Sequence, residues 1–178
     1  MIPIPGILVA IATFPGVIVH EVGHLFFCKL RNVAVFDVCF FRFGNPAGYV
    51  IHEGTEDFTT SFLIAIGPFV VNSLLCIIFC FPAFVPVRIF GQADLISYFW
   101  IWLGVSIGMH AFPSTQDARV LWRAAKKAMK SGNRLALVSF PLVVLIYVAN
   151  ILSFFWFDTL YGLAIGLGLP ELVLSRLV

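Results

Sequence analysis

Residues 20 to 24 read His-Glu-Val-Gly-His, the H-E-x-x-H pattern in which two histidines four positions apart share one helical face, about 40° from each other, and can grip one metal ion. Zinc is the ion this donor pair suits. Once bound, it lowers the pKa of a water molecule to about 7 and polarises a carbonyl. Glu21 stands beside the two imidazoles as the base that takes the water's proton, so the chemistry expected here is hydrolysis of a peptide bond, with one Zn2+ per chain. A catalytic zinc needs a third protein ligand. His52, Glu53, Glu56, Asp57, Asp94, His110 and Asp117 are the acidic and imidazole candidates. Asp117 is the best placed, because Pro113 breaks the preceding helix and turns the chain back. Its competing role is that of an N-cap for the basic stretch from Ala118 to Ser131.

These residues sit in an unusual background. Of 178 residues, 61% are hydrophobic and 11% charged, against about 45–50% and 25% in soluble domains. Such a composition predicts a polytopic α-helical membrane protein in contact with the lipid bilayer, with no further soluble domain. An ionisable group at mid-bilayer costs roughly 2.5–3.5 kcal/mol on insertion scales, so a glutamate and two histidines inside an apolar run call for a compensating ion or a wet cavity. The net charge of +2, from 11 basic and 9 acidic residues, is near balance and gives no reason to expect nucleic acid as a partner. Four cysteines without C-x-x-C spacing (Cys28, Cys39, Cys76, Cys80) favour neither disulfides nor a thiolate zinc site and read as small buried hydrophobes.

The elements that must position the site follow from hydropathy. A first span is expected over Ile4–Lys29, with Pro15 inside it, retained in the mature protein because no basic residue precedes the apolar stretch. Short β-prone runs at Val33–Phe43 and Tyr49–His52, separated by Gly44–Gly48, predict a small hairpin at the membrane surface. Further spans are expected over Phe58–Val85, ending in a proline-rich stretch, over Leu95–Phe112, and over Leu135–Phe157, which closes on a Phe154–Phe157 aromatic belt. The tail, 158–178, is apolar but interrupted by Gly162, Gly166, Gly168 and Pro170, and reads as a fifth span or a re-entrant piece. Six of the eleven basic residues lie between Arg119 and Arg134. By the positive-inside rule that segment is cytoplasmic, as are Lys29 and Arg31, so the ends of the first and third spans share a face and His24 and Asp117 can meet.

Three features together resemble the site-2 protease family of intramembrane metalloproteases, including its sporulation-factor-processing branch. They are His20–His24 in a membrane helix, Gly67-Pro68-Phe69-Val70-Val71-Asn72 in the next, and Pro113–Asp117 about ninety residues after the first. Asn72 comes one position later than the family's spacing. His110 stands where the family has asparagine, Gln116 replaces its leucine and Ala118 its glycine. The resemblance covers about residues 14–121 as a three-helix protease core within one domain, 1–178, with 135–157 a further span and 158–178 the tail. It implies cleavage of transmembrane segments of membrane-protein substrates near the cytoplasmic face of the cytoplasmic (inner) membrane, with the surface sheet adding a strand of unwound substrate. Asn72 is then expected as a substrate or oxyanion donor, or else as interhelical glue, and His110 as a residue behind the metal ligands. Control falls to a regulatory membrane partner or to the substrate itself. Two other readings stay open: a metal or ion transporter, whose polar groups would be spread through the membrane depth, and a non-catalytic polytopic protein. Glu171 is the alternative ligand if another class of H-E-x-x-H protease applies.

Overall fold

The computed structural model describes residues 6–92, 94–153 and 156–176. Pro15 falls in the first turn of a helix, the one interior position its missing N–H leaves unharmed, and there the expected first span divides. Helix α1 (Gly6–Ala12) meets α2 (Phe14–Leu30) at an angle of 87°. Thr13 stands at the corner, its hydroxyl donating to the Val9 carbonyl at 2.6 Å. The expected straight span is therefore a bent pair.

After α2 come β1 (Val35–Cys39) and β2 (Tyr49–His52), paired antiparallel with Val38 opposite Val50 and Cys39 opposite Tyr49, and irregular between Val35 and Asp37. The expected hairpin forms, its second strand with the expected bounds and its first shorter than Val33–Phe43. Tyr49 donates from its hydroxyl to Asp37 across the pair at 2.9 Å.

Helix α3 (Phe58–Ile89) begins at an Asp57 cap whose carboxylate accepts from the Thr60 N–H at 2.9 Å. Arg31, just past α2, donates to Thr60 and reaches Asp57, which ties the two helices together at that end. The helix does not stop at its prolines. It carries Pro68, Pro82 and Pro86 in its interior, the departure from expectation being that an apolar environment offers freed carbonyls no water, so that a continued helix remains the best-satisfied backbone.

Helix α4 (Leu95–Met109) is capped by Asp94 and ends three residues before Phe112. Helix α5 (Thr115–Lys130) is amphipathic, with Ala118, Leu121, Ala125 and Ala128 buried against α3 and α6 (Arg134–Leu152). Phe154 and Phe155 of the expected aromatic belt lie outside the described residues.

The tail takes the first of its two expected forms, that of a helix long enough to span. Helix α7 (Phe157–Leu163), a π-turn (Ala164–Gly168) and α8 (Leu169–Leu174) run on as a single 18-residue helix. The wide turn sits immediately before Pro170, where an ordinary turn would want the N–H that proline lacks. Its glycines are contact surfaces: a Cβ on Gly162 would fall against Met109 and Val105, and one on Gly166 against Val105 and Cys80. On α4, Gly104 and Gly108 press likewise on Cys80 and Cys76.

Among the described residues, Phe58–Ile89, Arg134–Leu152 and Phe157–Leu174 are long and apolar enough to cross a membrane, and the bent α1–α2 pair makes a fourth. Leu95, Val138, Leu145 and Leu172 turn outward and are more than half exposed. These are the features of a helical membrane protein, in which lipid rather than protein covers such side chains.

Candidate metal centre

The site is built where α2, α3 and α4 cross. Two glycines allow the approach. A Cβ at Gly16 would collide with the Ser106 carbonyl of α4 and the His110 ring, and one at Gly23 would sit 3.1 Å from Pro68 Cα of α3. The glycine inside the motif and the proline of Gly67-Pro68 thus pack directly on each other.

His20, Glu21 and His24 are each at most 9% exposed. His20 places Nδ1 2.7 Å from the main-chain oxygen of His110. A carbonyl only accepts, so Nδ1 carries the hydrogen and Nε2 presents its lone pair. That Nε2 lies 3.1 Å from Nε2 of His24, with the rings nearly perpendicular at 77°. Asp117 Oδ2 is 3.5 Å from the same His24 nitrogen, and one donor atom from each of the three residues lies within 4.8 Å of the others. Zinc bonds of about 2.0–2.2 Å in a tetrahedron hold neighbouring donors about 3.3 Å apart. Two of the edges, 3.1 and 3.5 Å, bracket that value and the third lies within 4.8 Å, so two imidazole nitrogens and a carboxylate oxygen form a group that could hold a metal ion.

Asp117 is held by its own helix. The N-cap of α5 is Ser114, whose hydroxyl accepts from the Asp117 N–H at 3.2 Å, while Asp117 Oδ2 accepts from the Ser114 N–H at 3.0 Å and its Oγ at 2.6 Å. The expected choice between cap and ligand is resolved differently: Asp117 is the third residue of a capping box, and the box aims its carboxylate at His24. Burial alone would raise the Asp117 pKa. Hydrogen bonds from His24 and Ser114 and the nearby imidazoles outweigh it, and hold the carboxyl well below the usual carboxylate range.

Glu21 has no hydrogen-bond partner among the described residues, although it is almost enclosed. Gly48, at the start of β2, lies over it, so near that a Cβ there would stand 2.7 Å from Glu21 Cγ and 3.0 Å from both its Oε1 and the Phe40 carbonyl. An unengaged carboxylate beside two imidazoles is free to accept and release a proton.

The remaining candidates fall elsewhere. His52 bonds to the Glu53 main chain on the exposed hairpin, Glu56 pairs with Lys127 at 2.7 Å, and Asp57 and Asp94 cap helices. Glu171 is paired with Arg88 at 2.8 Å, so the alternative ligand is committed to another contact. His110 takes part through its main chain. Its ring bonds to the Thr13 hydroxyl at 2.8 Å, and since that hydroxyl's hydrogen goes to Val9, His110 Nε2 is the donor. Asn72, expected as a donor to substrate, is fully buried, and its Nδ2 is spent on the carbonyls of His110 at 3.0 Å, Ile107 at 3.1 Å and Gly16 at 3.4 Å. It leaves no N–H for an oxyanion.

Thr13, Gly16 and Gly48 were not picked out by sequence reasoning. A threonine two residues before a proline and a glycine before a β-run are the faint signals they left. No known protein family, curated protein or solved structure matches the chain.

Proposed function

We propose that the chain is a zinc-dependent intramembrane protease of the site-2 type, hydrolysing peptide bonds in the transmembrane segments of other membrane proteins. What supports this best is the convergence of Asp117 on His20 and His24 from more than ninety residues away, inside an otherwise apolar chain. Zinc held by these three residues would supply the Lewis acidity that brings water's pKa to about 7 and polarises a peptide carbonyl.

The chain's own groups do the rest. His20 is kept in the Nε2-coordinating tautomer by the His110 carbonyl. Glu21 accepts a proton from the attacking water on its carboxylate and returns it to the departing amide nitrogen, so the bond breaks with a neutral amine as leaving group. Apolar walls limit competing water, and the hairpin next to Glu21 is the place where unwound substrate can lie extended. We place the protein in the cytoplasmic membrane with the site toward the cytoplasm, on the strength of the basic residues of α5, which begins at the site.

Glu21→Gln is the direct test. It removes the base and leaves both imidazoles, so the purified variant should hold zinc at the wild-type ratio and lose proteolysis of co-expressed single-span substrates by about 10²–10⁴-fold. Undiminished cleavage would overturn the mechanism, and a wild type without zinc would overturn the metal reading.

A further inference from the structure

Resting on that metal reading, the geometry points to Asn72 as a positioning residue that sets zinc affinity by fixing the carbonyl on which His20 hangs. The oxygen of His110 accepts from two donors, His20 Nδ1 at 2.7 Å and Asn72 Nδ2 at 3.0 Å. Two lone pairs accommodate both. This oxygen lies at the C-terminus of α4, where main-chain carbonyls have no partner within their own helix. Left to itself, the end of a helix frays and a carbonyl there is a poor anchor. Asn72, rooted on α3 and wholly buried, also donates to the Ile107 oxygen of the same terminus and touches Gly16 on α2. One amide therefore locks together the two helices that His20 bridges.

The orientation of the amide is not arbitrary. Three carbonyls surround the atom assigned as Nδ2, and reversing the side chain would set an oxygen among three oxygens, so the donor must face them. Its own Oδ1 is buried without a partner among the described residues, a cost that makes sense only if the donor side is worth more. Ser73, the next residue, provides a contrast. Its hydroxyl shares a 2.7 Å hydrogen bond with Tyr161, an interhelical contact of similar kind that touches neither histidine.

The test is metal binding and spectroscopy in the full-length protein. Asn72→Leu keeps the branching at Cγ and removes the donors, and should weaken zinc, titrated against a chelator, by about 10–100-fold and shift the visible bands of the cobalt-loaded protein. Ser73→Ala, losing a bond of equal rank, should leave both unchanged. Asn72→Ser, smaller and with a single donor, gives a second reading if the leucine variant does not fold, and should lie between. Folded Asn72 variants with wild-type zinc affinity and cobalt bands would overturn the inference while leaving the metal site standing. Equal losses in the Ser73 variant would reduce Asn72 to general packing. A wild type that takes up neither metal would instead remove the reading on which the inference rests.

Discussion

A single oxygen, Oδ2 of Asp117, accepts both hydrogen bonds of Ser114 and faces His24 at 3.5 Å. Helix start and proposed ligand set thus share an atom. Replacing Ser114 by alanine should lower stability by about 0.5–2 kcal/mol, the usual value of an N-cap. Because the serine also aims the carboxylate, zinc affinity should fall by about tenfold as well, as read by thermal melts beside chelator competition. A melt that drops while zinc affinity holds would make Ser114 a cap alone. At this scale the sequence was legible where residue types carry the chemistry: His20, Glu21 and His24 stand in one short motif, and Asp117 follows from charge and helix reversal. The parts played by the His110 carbonyl and by Gly48 were not, since any residue supplies a main-chain oxygen and a glycine is chosen for what it lacks.

At the scale of elements, the hairpin is more than an edge for pairing. Gly48 brings its backbone onto Glu21, with the Phe40 carbonyl closing the other side. Gly48→Ala would therefore push the Glu21 carboxylate aside, because the opposing backbone has no room to retreat. Misplacing a reacting group by about 1 Å can cost on the order of 10²-fold in rate. The expected result is a variant with normal zinc content and cleavage reduced by about that factor, measured on the same substrates as for Glu21→Gln. Normal cleavage would show that the hairpin yields. Hydropathy located α3, α4 and α6, and β-prone runs on either side of a Gly/Pro turn located the hairpin, because these are properties of contiguous residues. It misread both proline effects. Pro15 coincides with a right-angled corner, set by the Thr13 hydroxyl and its partners, while Pro82 and Pro86 interrupt nothing. Whether a proline ends a helix depends on what else could satisfy the backbone, and that is decided by neighbours far away in the chain.

For the whole molecule, the distribution of thiols offers a global check of packing. Cys28, Cys76 and Cys80 are fully buried, and Cys39, on the hairpin, is partly open. A maleimide reagent should modify one thiol per folded chain in mild detergent and four after denaturation, as counted by intact mass. Rapid labelling of more than one in the folded state would contradict the arrangement of α3, α4 and the tail helix. Sequence alone leaves the tail between a fifth span and a re-entrant piece, because its glycines are weighed one at a time. In three dimensions Gly162 and Gly166 line up with Gly104 and Gly108, so that small residues from both sides meet around Cys76 and Cys80.

That seam also orders events during synthesis. His20, His24 and Asp117 have all been synthesised by the time α5 is complete, so the proposed centre can assemble early. The groove along α3 and α4 stays uncovered until residues 157–174 arrive, more than forty residues after Asp117. The nascent chain can thus gather these three side chains before its packing is complete, with the last helix closing over elements already laid down.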